Sequence, residues 1–236
     1  MKTLIYKKDN GEIMQIIQIL TKPKEFFASC ADQEPSLRWP CILITIMAVL
    51  SAIVGYQMGE LTGRLLSGMM QGLGIITSVI TAVGSFFSPY IMWVIAIVIF
   101  YALQRFFKGT GSFKRVAEIT GYGMLPLIFA SVVGIILAMY YLPMVAIKPF
   151  FGSDPQKINA AVQGMLQDPA LHQFSILSSI ISIIFMIWAA NLWAFGFETC
   201  CGLDSKKAMM TAGIPVLVYI IYTLATLFIF TPGGMT

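Results

Sequence analysis

The chain has 236 residues, of which 58% are hydrophobic and only 11% charged. A soluble domain carries about a quarter charged residues, so too few polar groups are present to cover a water-facing surface, and lipid must face much of this one. The net charge of +4 gives no ground for nucleic-acid binding, and the location of the charges matters more than their sum.

Residues 1–38 hold six basic residues, Lys2, Lys7, Lys8, Lys22, Lys24 and Arg38. Asp9-Asn10-Gly11 reads as a turn. From Glu12 onward, Ile13, Ile16, Ile17 and Leu20 fall on one helical face. No cleavable signal is expected, because the run Ile13 to Leu20 is short and interrupted by glutamines. After Pro23, Phe26-Phe27 beside Lys22 and Lys24 suits a short amphipathic helix lying among lipid headgroups.

The first span is predicted over about 39–58, uncharged and long enough to cross a hydrocarbon core of roughly 30 Å. Residues 60–88 are apolar but rich in glycine and contain Arg64; they read either as a sixth span or as a surface-lying or re-entrant helix, and the charge count below selects the latter. Further spans are predicted over about 89–106, 118–141, 174–197 and 208–230. Pro126 lies inside the third and is expected to kink it, since proline removes a backbone hydrogen bond and clashes with the preceding turn. Asp154-Pro155 and Asp168-Pro169 both read as helix starts, a capping carboxylate followed by proline at the first helical position. Gly202 is a natural stop for the fourth span and Asp204 a natural cap for the fifth.

The expected fold is therefore all-α. It is a polytopic bundle of five transmembrane helices with an amphipathic N-terminal helix and a re-entrant or surface helix between spans one and two. The expected division is a cytoplasmic or interfacial segment over 1–38 and a transmembrane domain over 39–232. Five crossings put twelve basic residues on one side and three on the other. That asymmetry predicts a cytoplasmic N-terminus and an external C-terminus, in the plasma membrane if the source is prokaryotic. Making 60–88 a further crossing would move the basic loop of Arg105, Lys108, Lys114 and Arg115 outside, which the same rule disfavours.

In this arrangement the chain resembles the Yip family, five-span proteins whose eukaryotic members interact with Rab/Ypt-type GTPases. The resemblance runs from about Ile19 to Phe230. It is carried by Pro23-Lys24-Glu25-Phe26-Phe27, by Ser112-Phe113-Lys114-Arg115, by Gly121-Tyr122-Gly123-Met124-Leu125-Pro126, and by Gly202-Leu203-Asp204-Ser205-Lys206-Lys207-Ala208. The chain lacks the long N-terminal region and the aspartate-leucine-tyrosine-glycine-proline signature of the eukaryotic members, so it looks like a prokaryotic relative. The resemblance implies a membrane-organising or trafficking-type role.

No catalytic constellation is present, and neither an enzymatic activity nor a cofactor is expected. His172 precedes a span and reads as solvated or interfacial. Gly109-Thr110-Gly111 lacks the remainder of a nucleotide fingerprint. Cys30, Cys41, Cys200 and Cys201 have neither zinc-site nor redox spacing. Cys200-Cys201 would be a lipidation site only at a cytoplasmic membrane surface, and two small apolar residues at a helix end is the preferred reading. Polar groups at membrane depth are functional candidates by default. Glu118, Tyr122, Asn191 and Glu198 form the candidate set, with Gly121, Gly123 and Pro126 as the kink beside it. Trp188, Asn191, Phe195 and Glu198 share a helical face. Against a cation or proton site stands simple pairing of Glu118 and Glu198 with Arg115, Lys114 or Lys206. The expected partners are the lipid bilayer, a protein at the cytoplasmic face, and a second copy of the chain; small residues such as Ala130 and Gly134 permit helix contacts within one chain or between chains. The alternative function is a small transporter or channel using Glu118, Asn191 and Glu198.

Overall fold

The computed structural model describes residues 17–66, 73–147 and 155–229. The turn at Asp9-Asn10-Gly11, the positions Ile13 and Ile16, and the Asp154 cap lie outside the described residues. Among the described residues every regular element is helical. After a helical stretch at 17–21, the order is α1 (Pro23–Ala31), α2 (Arg38–Leu66), α3 (Leu73–Phe106), α4 (Phe113–Gly123), α5 (Leu125–Tyr141), a 3-10 turn (Leu142–Met144), α6 (Pro155–Leu166), α7 (Pro169–Cys200) and α8 (Ser205–Ile229).

Five segments are long and apolar enough to cross a bilayer: Arg38–Leu66, Gly74–Phe106, Phe113–Met144, Pro169–Cys200 and Ser205–Leu227. Along α3 the side chains of Ile76, Val79, Val83, Ile91, Val94 and Val98 all point outward. Water would penalise such a surface; hydrocarbon does not. The protein is a multi-pass membrane protein of five candidate spans.

The expectation for 60–88 needs correction. Its first residues belong to the end of α2, and from Leu73 onward they are the beginning of the 34-residue α3, with Pro89 inside that helix. No separate re-entrant or surface helix forms among the described residues. Of the glycines in that stretch, Gly63 and Gly74 serve as packing residues, continuing a stripe that begins at Gly55 and Gly59, whereas a Cβ on Gly84 would meet nothing. A Cβ on Gly55 would lie 2.2 Å from Ser85 Oγ, one on Gly59 2.5 Å from Ser78 Cα, and one on Gly63 2.5 Å from Gly74 Cα. Glycine every fourth residue thus opens a stripe along α2 into which α3 settles, the small-residue packing that replaces the hydrophobic effect between helices in lipid.

The other starts and stops agree with the sequence. Asp168 Oδ1 accepts from the Ala170 and Leu171 N–H groups at 2.8 and 3.4 Å, capping α7 with Pro169 at its first position. Gly202 adopts φ +63° just beyond α7, a left-handed conformation glycine takes without penalty. Asp204 Oδ1 then caps α8 by accepting from Lys207 N–H at 2.9 Å. That bond, reinforced by the Lys207 ammonium, holds the exposed Asp204 carboxyl below its ordinary range. α3 closes with two bonds, Gly109 N–H to Gln104 O at 2.7 Å and Lys108 N–H to Arg105 O at 3.0 Å, around a left-handed Lys108 at φ 65°. This is the Schellman pattern with lysine in the usual glycine place.

The chain divides into two compact units. The first comprises Met1–Leu43, Trp93–Leu125 and Ile187–Val216; the second comprises Ile44–Met92, Pro126–Met186 and Leu217–Thr236. The first unit has an aromatic core in which Phe100 packs on Trp193 and Phe197 at centroid distances of 4.9 and 5.2 Å. The second has an aliphatic core of Leu61, Ala138, Leu142, Val145, Leu171 and Phe174.

Candidate functional site

The first unit gathers most of the residues singled out from the sequence, and α4 is its centre. Ser112 caps α4 by accepting from Arg115 N–H at 3.2 Å. The next turns place Arg115, Glu118 and Tyr122 on one face at three-four spacing. Arg115 Nη1 and Glu118 Oε2 pair at 2.6 Å, with their side chains only 9% and 6% exposed. The pair also fastens the segment before α2. Arg115 donates to Cys30 O at 2.7 Å and to Gln33 O, while Glu118 Oε1 accepts from Ser36 N–H at 3.0 Å. A buried charge is tolerated only when paired and hydrogen-bonded, and here both members are.

Arg115 is therefore not part of an open basic loop, as its neighbours in sequence suggested. It is buried in the fold, while Arg105, Lys108 and Lys114 remain exposed. The expectation that Phe26 and Phe27 face the headgroup layer is also corrected. Phe26 and Phe27 are buried within the protein. The Phe26 ring meets Tyr122 edge-on at 5.0 Å, and Phe27 lies against Gly196 of α7. Apolar side chains given a protein groove to fill need no lipid.

The break in the third span has a structural purpose that the sequence only partly revealed. α4 ends at Gly123 and α5 begins at Leu125, leaving Met124 between them, so the predicted kink is a one-residue interruption. The Met124 N–H turns to Gly121 O at 3.2 Å, away from Thr120 O, its ordinary helical acceptor. The indole N–H of Trp193 supplies the missing donor to Thr120 O at 3.0 Å. A Cβ on Gly123 would stand 2.1 Å from Trp193 Cδ1, and one on Gly121 would stand 2.5 Å from Pro40 Cβ. Each glycine of the signature thus accommodates a particular neighbour, and the tyrosine between them receives Phe26. Trp93 adds a second indole donor, to Ala117 O at 3.2 Å. Neither tryptophan was singled out by the sequence reading; the signal available was a polar tip on an otherwise apolar span.

The remaining members of the candidate polar set do not join this arrangement. Glu198, half-buried, lies 3.8 Å from Lys24 Nζ, and that ammonium also sits 5.4 Å from the Phe195 ring centre. Trp188 and Asn191, on the same face of α7, point outward. Glu118 and Glu198 are each engaged by a different cation, and Asn191 stands apart from both pairs. Such an arrangement neutralises charge locally and leaves no shared ligand set.

The connection after α3 is bound to the one after α7. Thr110 N–H donates to Cys201 O at 2.9 Å, Gln104 Nε2 donates to Gly111 O at 3.0 Å, and a Cβ on Gly111 would lie 2.3 Å from Cys201 Sγ. The glycines of Gly109-Thr110-Gly111 are thus packing residues. Cys201 is fully buried and Cys200 Sγ donates to Phe27 O at 3.3 Å, which leaves neither thiol presented for acylation. Burial pushes both Cys30 and Cys201 up to about 12. Alkylation of these two thiols by a maleimide at roughly pH 8 is accordingly expected to run on the order of tenfold or more slower in the folded protein than after unfolding, because the thiolate is the reactive form. Mass mapping of labelled peptides over time checks this; equal rates would contradict the burial.

No solved structure matches the chain. An uncharacterized protein of Methanocaldococcus jannaschii is 30% identical over 128 residues, which cover 54% of this chain and 91% of that one. The Yip1 domain family model matches residues 17–227, the same stretch that holds the latched α1, the interrupted third span and the joined loops. The chain belongs to the Yip1 domain family.

Proposed function

We propose that the protein acts without catalysis as a membrane-organising or trafficking-type component, engaging an acidic protein partner at the cytoplasmic side through its basic loops. The observation that carries this reading is the knitting of the two loops by Thr110, Gly111 and Cys201, which fixes a frame from which exposed cations project. Lys108 stands on the loop after α3, Lys114 in the first turn of α4 and Lys206 in the first turn of α8, all three exposed. Fixed exposed cations favour acidic partners and steer their approach. The burial of Arg115 in its own ion pair supports a division of labour, one basic residue holding the fold and its neighbours free to bind.

The cytoplasmic placement rests on the basic asymmetry of the connections. Reporter tags at Met1 and Thr236 are expected in opposite compartments, and tags in the same compartment would remove it. For the function itself, a photo-crosslinking residue at Lys108 or Lys114 is expected to capture one protein in cells, with capture lost in Lys114→Glu. The competing reading, transport, makes a different forecast. In proteoliposomes it requires an ion or solute flux abolished by Asn191→Ala or Glu198→Gln. Such a flux, without a charge-dependent crosslink, would replace the proposal.

A further inference from the structure

The second unit contains a cavity of about 440 Å³ to which all five spans contribute, from Leu50–Met58 of α2, Thr81–Ser88 of α3, Leu127–Gly134 of α5, Phe174–Met186 of α7, and Tyr219 of α8. Its size falls among small-molecule sites, which run from about 300 to 1,000 Å³. Its lining carries no charged residue, yet it is rich in hydroxyls.

Serine and threonine inside membrane helices ordinarily bond back to their own helix. Elsewhere in this unit they do so: Ser78 to Gly74 O at 2.8 Å, Ser175 to Leu171 O at 2.9 Å, and Thr223 to Tyr219 O at 2.9 Å. Two cavity residues do likewise, Thr81 to Thr77 O and Ser131 to Leu127 O. Ser51, Ser85 and Ser182, on three different helices, make no hydrogen bond among the described residues, and Ser178 Oγ is buried without a partner. A polar atom left unpaired in an apolar setting is costly, so uncommitted hydroxyls converging on one space call for something that bonds them.

Gly134 points the same way. Nothing lies within 4 Å of where its Cβ would be, so within this chain it is not a helix-contact glycine of the kind its spacing with Ala130 suggested. It keeps the cavity open.

We propose that this cavity binds an uncharged glycerol-like unit, the neutral neck of a membrane glycerolipid. The hydroxyls would meet its ester, ether or alcohol oxygens, and Leu50, Val54, Met58, Leu127 and Phe174 its first methylenes. A charged headgroup is excluded, because no lining residue offers a counter-charge and desolvating a lone ion is prohibitive. The proposal is independent of the function proposed above, since every lining residue belongs to the second unit and the basic loops to the first.

The test uses the full chain in nanodiscs with a diazirine-bearing monoacylglycerol as the probe. Photolabelling is expected to concentrate on Leu127–Gly134 and Phe174–Met186. It should drop at least about fivefold in Gly134→Leu, which fills the space, and in Ser178→Ala/Ser182→Ala, which removes hydroxyls without adding volume. Competition by unlabelled monooleoylglycerol but not by free glycerol supports the lipid neck. Equal competition by free glycerol supports the same chemistry with a water-borne polyol as its source. Labelling spread evenly over the lipid-facing helices, or unchanged in either variant, overturns the proposal.

Discussion

Replacing Arg115 with leucine is expected to lower stability by about 3–5 kcal/mol, the cost of leaving one member of a buried ion pair uncompensated. The Glu118 carboxylate would keep only the Ser36 N–H, Gln33 O would lose the Arg115 donor, and Cys30 O would keep its backbone donor, Gln33 N–H. Glu118→Leu should be damaging too, though Arg115 would still have two carbonyls to bond. The decisive comparison is the double variant, Arg115→Leu with Glu118→Leu. A buried pair replaced by apolar residues is often neutral in stability, and Gln33 and Ser36 are exposed enough for water to serve their backbone groups. The double variant should therefore be more stable than the Arg115 single variant. Reversible unfolding in mixed micelles, with all three variants side by side, measures this. A double variant as unstable as the sum of the singles would show that the pair is not a coupled unit.

Gly123→Ala carries the second large effect. The added methyl would occupy the place of Trp193 Cδ1 and Nε1, 2.1 and 2.2 Å away. Forcing that indole aside costs about 1–3 kcal/mol as overpacking. Because Trp193 then withdraws from Thr120 O, a buried carbonyl is stranded at a further cost of about 1–3 kcal/mol. The strain spreads further, since Trp193 also supports Phe100. Gly134→Ala is the matched control. That Cβ meets nothing, and alanine is favoured over glycine in a helix by about 1 kcal/mol, so stability should hold or rise. Thermal unfolding of the two variants in one detergent tests the contrast. Similar losses in both would mean that helix flexibility, and not the tryptophan contact, makes glycine necessary at 123.

Much of the architecture was legible in the sequence because the bilayer is a severe solvent. It requires about twenty apolar residues per crossing and internal satisfaction of every backbone bond, and both demands appear as composition. Local signals were equally readable where a residue acts on its own turn: Asp168 with Pro169, Asp204 before α8, and Gly202 with its left-handed backbone after α7. The Ser112 cap, which starts α4 at Phe113 and not at 118, was missed. The break near Pro126 was legible for the same reason, as proline acts on its own helix.

The glycines were misleading between α2 and α3, because a glycine that weakens a helix and a glycine that admits a neighbour are written with the same letter. Only the opposing residues, Ser85, Ser78 and Gly74, tell them apart. Arg115 likewise read as one cation of a basic loop with Glu118 as a candidate partner; that the pair is buried and bonded to the carbonyls before α2 only the packing shows. Phe26 and Phe27 suited a headgroup layer until α4 and α7 offered a groove.

The helical class, the five spans, the family and the capped ends could all be read from the chain alone, because each depends on a residue and its near neighbours along it. Packing in three dimensions was needed to settle which charges are buried, why Gly121 and Gly123 must be small, and that hydroxyls from separate helices face one cavity. Those outcomes depend on what lies across a helix interface, tens of residues away in sequence, and no local pattern encodes the partner.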